Sequence, residues 1–257
     1  MTQIVSFRNH STPSGMPPLS VHDLRTGCST CSMRELCLPV GLDNDDMVRL
    51  DQIIRRRRRV PKGHLLYRAG DPFVSLYAIR LGHFKTYQTH REGTQQITGF
   101  LMTGEMLGMD AISSEVHQCD AMALEDSEVC EIPFSQLEQL FSEIPTLLRQ
   151  FHRMMSHEIT REQGVMLLLG SMPADQRFAA FLVNLSSRYA VRGFSASSFH
   201  LRMGREEIGN YLSLTIESIS RLLSKFKKME ILKVDNRTIN ITDLPRLRRV
   251  AAGTETI

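Results

Sequence analysis

"REEIGNYLSLTIESISRLLSKFKK" occupies residues 205–228. Ile208, Tyr211 and Leu212 fall on one side of a short helix. Ser213 and Leu214 interrupt that pattern. Thr215 then suits a helix N-cap, because its hydroxyl can accept a free backbone N–H. Beyond it, Ile216, Ile219, Leu222, Leu223 and Phe226 recur at helical spacing and predict a buried stripe. Glu217, Ser220, Arg221 and Ser224 take the opposite face. Two short helices about a tight turn, the second with a polar outer face, make a helix-turn-helix. That face suits a DNA major groove: Arg donates twice to guanine, Glu accepts from cytosine N4, and Ser bonds either way. A plainer reading is a solvated face with an i,i+4 Glu–Arg pair. The residues that follow favour nucleic acid. Lys225, Lys227 and Lys228 lead into "KVDNRTINI" (233–241), a hairpin with its turn at Asp235–Asn236 and Arg237 beside it, placed for phosphate contacts.

Upstream, the character differs. From about residue 50 to 135, short apolar runs alternate with glycines at 63, 70, 82, 93, 99, 104 and 108. "LYAIRLGHFKTYQT" (76–89) reads as a hairpin, and strands this short with turns this regular predict a β-roll or jelly roll. After Pro145, "TLLRQFHRMMSHEITREQGVMLLLG" (146–170) predicts a helix of about seven turns. Leu148, His152, Met155, Ile159, Glu162, Met166 and Leu169 step along it as a heptad seam, the mark of a dimer element. Packing within the chain's own domain is the alternative. A carboxylate at Glu162 would face its twin across a dimer axis, so such a contact is marginal. Gly170 and Pro173 end this helix, and "ADQRFAAFLVNLSSRYAVRG" (174–193) begins another. The α+β chain thus divides into an N-terminal arm (1–27), a cysteine segment with the β-roll (28–140), a dimerisation helix (141–171) and a winged helix-turn-helix (172–257).

The whole chain sets the limits. It has 257 residues, 42% hydrophobic and 23% charged, an ordinary globular composition. A net charge of +3 is too mild to mark a nucleic-acid binder by itself, so any basic footprint is local. The longest apolar runs, such as "VMLLL" (165–169), are far short of a membrane span, and the N-terminus lacks a secretory pattern. The expectation is a cytoplasmic protein without a membrane partner. There is no Gly-rich cofactor loop opening a helix and no nucleophile–base constellation, which argues against an enzyme. "RRRRR" (55–59) precedes the roll and reads as a solvated strand edge or a counter-charge to an anionic group.

In a reducing compartment, clustered cysteines bind metal or do redox chemistry more often than they form disulfides. "CSTCSMRELC" (28–37) puts Cys28, Cys31 and Cys37 at C-x2-C-x5-C spacing. Thiolates are soft ligands for iron–sulfur clusters, zinc or Cu(I). The uneven spacing suits an iron–sulfur cluster, whose corners are spread apart, but zinc and a metal-free role stay open. His22 is close enough in sequence to be an alternative ligand. Cys119 and Cys130 are equal candidates for a fourth.

β-roll, long helix and winged helix-turn-helix, in that order, resemble the CRP/FNR superfamily of bacterial transcription regulators. "QQITGF" (95–100), "VCEIPF" (129–134), "EIGNYL" (207–212) and "ESISRLL" (217–223) resemble its oxygen-responsive FNR/ANR branch. The resemblance spans residues 28 to 245. It implies a cyclic-nucleotide-binding-like jelly roll and a global activator and repressor working under low oxygen. It further implies one 4Fe–4S cluster per subunit, on Cys28, Cys31, Cys37 and Cys130, with Cys119 a bystander. Leu36 matches an apolar neighbour of the cluster. Glu217, Ser220 and Arg221 match base-reading positions for palindromic TTGAT-type sites. Ile159 and Glu162 match residues controlling a cluster-dependent homodimer, and surface loops such as 88–94 match those touching RNA polymerase. Ser213 departs from the glycine usual in the turn. "GEMLGMD" (104–110) looks like a cyclic-nucleotide phosphate loop, yet no Lys or Arg lies between Arg91 and Arg149 to meet a phosphate. The expectation is no cyclic nucleotide, with Glu105 a relic or a local hydrogen-bond acceptor.

Overall fold

The computed structural model describes residues 27–54 and 56–255. His22, Arg55 and all of the expected arm but Gly27 lie outside them. A single 3-10 turn at Cys28–Thr30 starts the cysteine segment, which runs into α1 (Asn44–Ile53). Asp43 caps α1 by accepting from the Asp46 N–H at 2.8 Å. Eight strands build the roll: β1 (Arg56–Val60), β2 (Leu65–Tyr67), β3 (Ser75–Leu81), β4 (His83–Thr89), β5 (Gln95–Met102), β6 (Met106–Leu107), β7 (Asp120–Ala123) and β8 (Ser127–Pro133). They pair antiparallel in two four-stranded sheets, β1-β8-β3-β6 and β2-β7-β4-β5. Side chains alternate along each strand, so Phe84, Ile79, Leu107 and Val129 fill the space between the sheets. The β3–β4 turn needs Gly82: its φ is +95°, and a Cβ there would stand 2.1 Å from the Ser127 hydroxyl.

The helical part follows: α2 (Phe134–Glu143), α3 (Pro145–Ser171) and α4 (Ala174–Val191). Helix α3 opens on Pro145, whose fixed φ and missing N–H suit the first helical turn. Its first two turns bury Leu147 and Phe151, with Phe151 tilted on Phe141 of α2 at 5.0 Å. Farther along, the seam side is open: Ile159 is 54% and Met166 66% exposed. The winged helix-turn-helix comprises β9 (Ser198–His200), α5 (Arg205–Leu212), α6 (Ile216–Lys228), β10 (Leu232–Asp235), β11 (Thr238–Ile241) and α7 (Leu244–Ala251). Its core closes on Phe178 of α4, edge-on to Phe226 of α6 at 5.7 Å. Ile219, Leu222, Leu223 and Phe226 are buried as the periodicity predicts. Ile216 is not; it is 44% exposed. At the first helical position it lies on the rim of a groove beside Gln95 and Asn210, not against the core.

The turn between α5 and α6 is tight. A Cβ on Gly209 would meet the Leu214 carbonyl oxygen at 2.6 Å, so only glycine lets the chain double back so closely. Ser213 takes the left-handed conformation, φ 53°, ψ 48°. An L-residue with a side chain pays roughly 1 kcal/mol or more there. The variant Ser213→Gly is therefore expected to be about 1 kcal/mol more stable. A higher midpoint in chemical denaturation checks it, and an unchanged or lower midpoint contradicts it.

Candidate functional site

The polar face of α6 is built from its cap outward. Thr215 accepts from the Ser218 N–H at 3.1 Å, fixing where α6 starts. With the apolar stripe turned inward, Glu217, Arg221 and Ser224 are exposed and Ser220 is half-buried. Glu217 sits in the first turn, where a backbone N–H and the Thr215 hydroxyl hold its carboxyl below its ordinary value. At neutral pH it is an ionised acceptor. Arg177 of α4 donates to the Leu212 carbonyl at 2.8 Å and braces the turn from behind. No sequence signal marks Arg177 for that task. Lys227 and Lys228 close α6, exposed, and the β10–β11 turn presents Asn236 (φ 52°) and Arg237 to solvent.

The second constellation lies at the other end of the chain. Cys28, Cys31, Cys37 and Cys130 line one cavity of about 30 Å³, between the 28–38 segment and the outer face of the roll. Strand alternation separates the two distant thiols. On β8, Val129 points into the roll and Cys130 out of it. Cys130 is flanked across the ladder by Arg57 on β1 and Ala78 on β3. Cys119 is buried inside the roll, its Sγ 3.5 Å from Asp110 Oδ2, away from the other four. Burial raises the thiol pKa of Cys28, helped by the Asp51 carboxylate, and pushes Cys37 up to about 12. Burial also raises Cys130, opposed by the charge of Arg57. The donor set, four thiols with an arginine beside one of them, has the softness and counter-charge for an iron–sulfur group. Among the described residues no group of three His, Cys, Asp or Glu side chains converges closely enough to hold a metal ion. The thiols surround a space rather than a point.

Leu36 does not line that cavity. It packs on the phosphate-like loop, its Cβ 3.2 Å from where a Cβ on Gly104 would stand. Glu105 in that loop is no relic. It accepts the Met102 N–H locally at 3.0 Å, but also receives Arg188 at 2.6 Å and Arg192 at 2.7 Å from α4. Between roll and α3 is a cavity of about 300 Å³. Arg161 of α3 reaches it, but its guanidinium is taken by Glu158, and Asp110 and Glu162 add further carboxylates. Ile159 and Glu162 border the same cavity while remaining exposed on α3.

A β-roll, a long helix with an open apolar seam and a winged helix-turn-helix define a DNA-binding transcription regulator. Residues 57–143 match the cyclic nucleotide-binding domain family, and residues 176–250 match the Crp-like helix-turn-helix domain. The chain is 47% identical to the fumarate and nitrate reduction regulatory protein of Yersinia pestis over 226 residues, 88% of this chain and 90% of that one. It is 45% identical to the transcriptional activator protein Anr of Pseudomonas protegens over 226 residues, 88% and 93% of the two chains. FixK2 of Bradyrhizobium japonicum superposes with a TM-score of 0.70 at 29% identity, covering 76% of this chain and 96% of that structure. The chain belongs to the CRP/FNR superfamily, among the FNR/Anr anaerobic regulators. Its relatives are transcriptional regulators, and no helix among the described residues is long and apolar enough to cross a membrane.

Arg221 is the strongest candidate base reader on α6. Arg221→Ala is expected to lower affinity for the specific site by roughly 1–3 kcal/mol, about ten- to a hundredfold, and to relax preference at one base pair. Fluorescence anisotropy on a panel of single-base-pair variants measures both. Equal losses on specific and random DNA would assign Arg221 to phosphate contact instead.

Proposed function

We propose that this protein is an oxygen-sensing global regulator, activating some promoters and repressing others, that holds one 4Fe–4S cluster per subunit on Cys28, Cys31, Cys37 and Cys130. The observation that carries the reading is that these four thiols, three from one segment and one from strand β8, line a single cavity. When bound, the cluster supplies an oxygen-labile cross-link between that segment and the roll.

The rest falls to the chain's own residues. Cys28 is bonded through its N–H to Asp51 of α1 at 3.1 Å, and Leu38 and Leu50 anchor the segment's far end. With the cross-link in place the segment is pinned at both ends, and the roll braces the first turns of α3 through α2. Ile159 and Met166 then pack across a dimer axis, where burying both offsets the repulsion between the two Glu162 carboxylates. Losing the cross-link tips that marginal balance, the dimer separates and binding to paired half-sites falls. Glu217, Ser220 and Arg221 read palindromic TTGAT-type half-sites from the two subunits of double-stranded DNA. The exposed 88–94 turn between β4 and β5 offers a surface to RNA polymerase in the cytoplasm. Cyclic nucleotide is not the signal: a phosphate in the roll cavity would meet Asp110 and Glu162 and find Arg161 already held by Glu158.

Purification without oxygen tests the centre. The full-length protein should show a broad absorption at the blue edge of the visible, bleached by air, with iron and acid-labile sulfide in equal amounts. Cys130→Ser should lose both, and Cys119→Ser should keep them. A colourless protein carrying stoichiometric zinc would sink the proposal. A separate variant tests the seam: Glu162→Ala should sediment as a dimer and bind paired half-sites in air. If it stays monomeric, the balance described for α3 is wrong.

A further inference from the structure

The winged helix-turn-helix does not hang free on the end of α3. Only Met172 and Pro173 join α3 to α4, and Met172 is extended, so the link alone would let the head swing. Contacts with the roll prevent this, among them Arg202 with Glu125 at 3.0 Å, the Tyr189 hydroxyl with His83 Nε2 at 3.1 Å, and the ties that follow. Glu105, in the loop between β5 and β6, takes both Arg188 and Arg192 of α4. The arginines in turn donate to the Phe100 and Thr103 carbonyls at 2.7 and 2.6 Å. On α5, Asn210 grips the outer edge of β5: its Oδ1 accepts the Ile97 N–H at 2.6 Å, and its Nδ2 donates to the Gln95 carbonyl at 2.7 Å. Beside it Lys85 of β4 pairs with Glu207 at 2.8 Å. Phe100 stands edge-on to Tyr211 of α5 at 5.1 Å between these polar ties.

The polar ties are directional. Strand β5 is a sheet edge, so its N–H and C=O groups need partners, and the Asn210 amide supplies a donor and an acceptor in register. Glu105 receives hydrogen bonds from two guanidinium groups whose side chains are only 15% and 7% exposed, a geometry that tolerates little rotation. In this docked arrangement neither working surface is covered. Ile159 and Met166 remain open on α3, and Glu217 and Arg221 remain open on α6.

We propose that Glu105 and Asn210 are positioning residues that lock the reading helix at one angle to the dimer helix, so that a dimer reads two half-sites at one fixed spacing. The inference rests on the dimeric, paired-half-site reading above. Half-sites of such regulators lie about 34–36 Å apart, one helical turn of DNA. A locked head presents its partner helix to the second half-site at high effective concentration, and a swinging head does not. Contact between one α6 and one half-site involves neither residue.

The test uses the full-length protein purified without oxygen, as wild type, Glu105→Gln and Asn210→Ala. The probes are duplexes carrying a single TTGAT half-site, or two inverted half-sites at the preferred spacing or with one or two base pairs inserted. The variants should sediment as wild type and bind the single half-site as wild type. On the preferred pair they should lose about tenfold or more in affinity, and the inserted spacings should lose correspondingly less. Wild-type preference for the pair and wild-type spacing discrimination in both variants would overturn the proposal. So would a parallel loss on single and paired sites, which would mean that the residues fold the head rather than aim it. If wild type itself gains nothing from a second half-site, the dimer reading fails and this inference falls with it.

Discussion

The arrangement of the four clustered cysteines depends on the period-two alternation of strand β8. It is a central strand, paired with β1 on one side and β3 on the other, so its register is held by two ladders. Val129 is sealed inside the roll, and Cys130 therefore lies outside, against the 28–38 segment. A slip of one residue would exchange them. The same alternation brings Arg57 opposite Cys130, so the basic run that opens the roll contributes a counter-charge just where an anionic group would sit. At its end, β8 passes directly into α2 at Phe134, which joins the short path to α3.

Much of this was legible in the sequence because it is periodic. The stripe from Ile219 to Phe226 reads as a buried helix face whatever surrounds it, and Pro145 and Pro173 bracket α3, which runs through Gly170 to Ser171. The cap at Thr215 is equally local, being a hydroxyl and an N–H three residues apart. The left-handed Ser213 was signalled only through the resemblance, in which glycine is usual at that turn. Local pattern fails where the answer lies in a partner distant in sequence. Cys119 and Cys130 look alike from their neighbours, and only the sheet pairing separates interior from exterior. Ile216 fits the stripe by spacing, yet the core ends one turn before it reaches that position. Leu36 sits next to Cys37 in sequence but packs on Gly104, because the segment twists between them.

Glu105 is the fullest case of a residue whose role is tertiary. By sequence it belongs to a loop that resembles a phosphate cradle, and the nearest cations in sequence are far away. The fold supplies Arg188 and Arg192 from α4, more than eighty residues on. Burial would raise the carboxyl's pKa, but the charge and hydrogen bonds of Arg188, then Arg192, bring it below its ordinary value. Two of the motifs that carry the resemblance, "QQITGF" and "EIGNYL", meet at the same interface. Asn210 of one hydrogen-bonds the backbone at Gln95 and Ile97 of the other, and Tyr211 packs on Phe100.

Stability is unevenly distributed, and the proposed switch follows from that. Residues 28–37 belong to no strand or α-helix and are held by turns, by one bond from the Cys28 N–H to Asp51 and by a few apolar side chains. Such a segment opens at low cost unless something cross-links it. Its neighbours are better fixed: Leu38 and Leu50 are nearly fully buried, and Arg49 of α1 pairs with Glu143 of α2. The cross-link proposed above would join this weakly held segment to a doubly paired strand, so its loss would act on the segment and not on the roll. The loop that carries Glu105 is where that segment leans, through Leu36 on Gly104, and where the DNA-reading head is tied. The segment and the head therefore rest on the same loop, which the proposed switch can use.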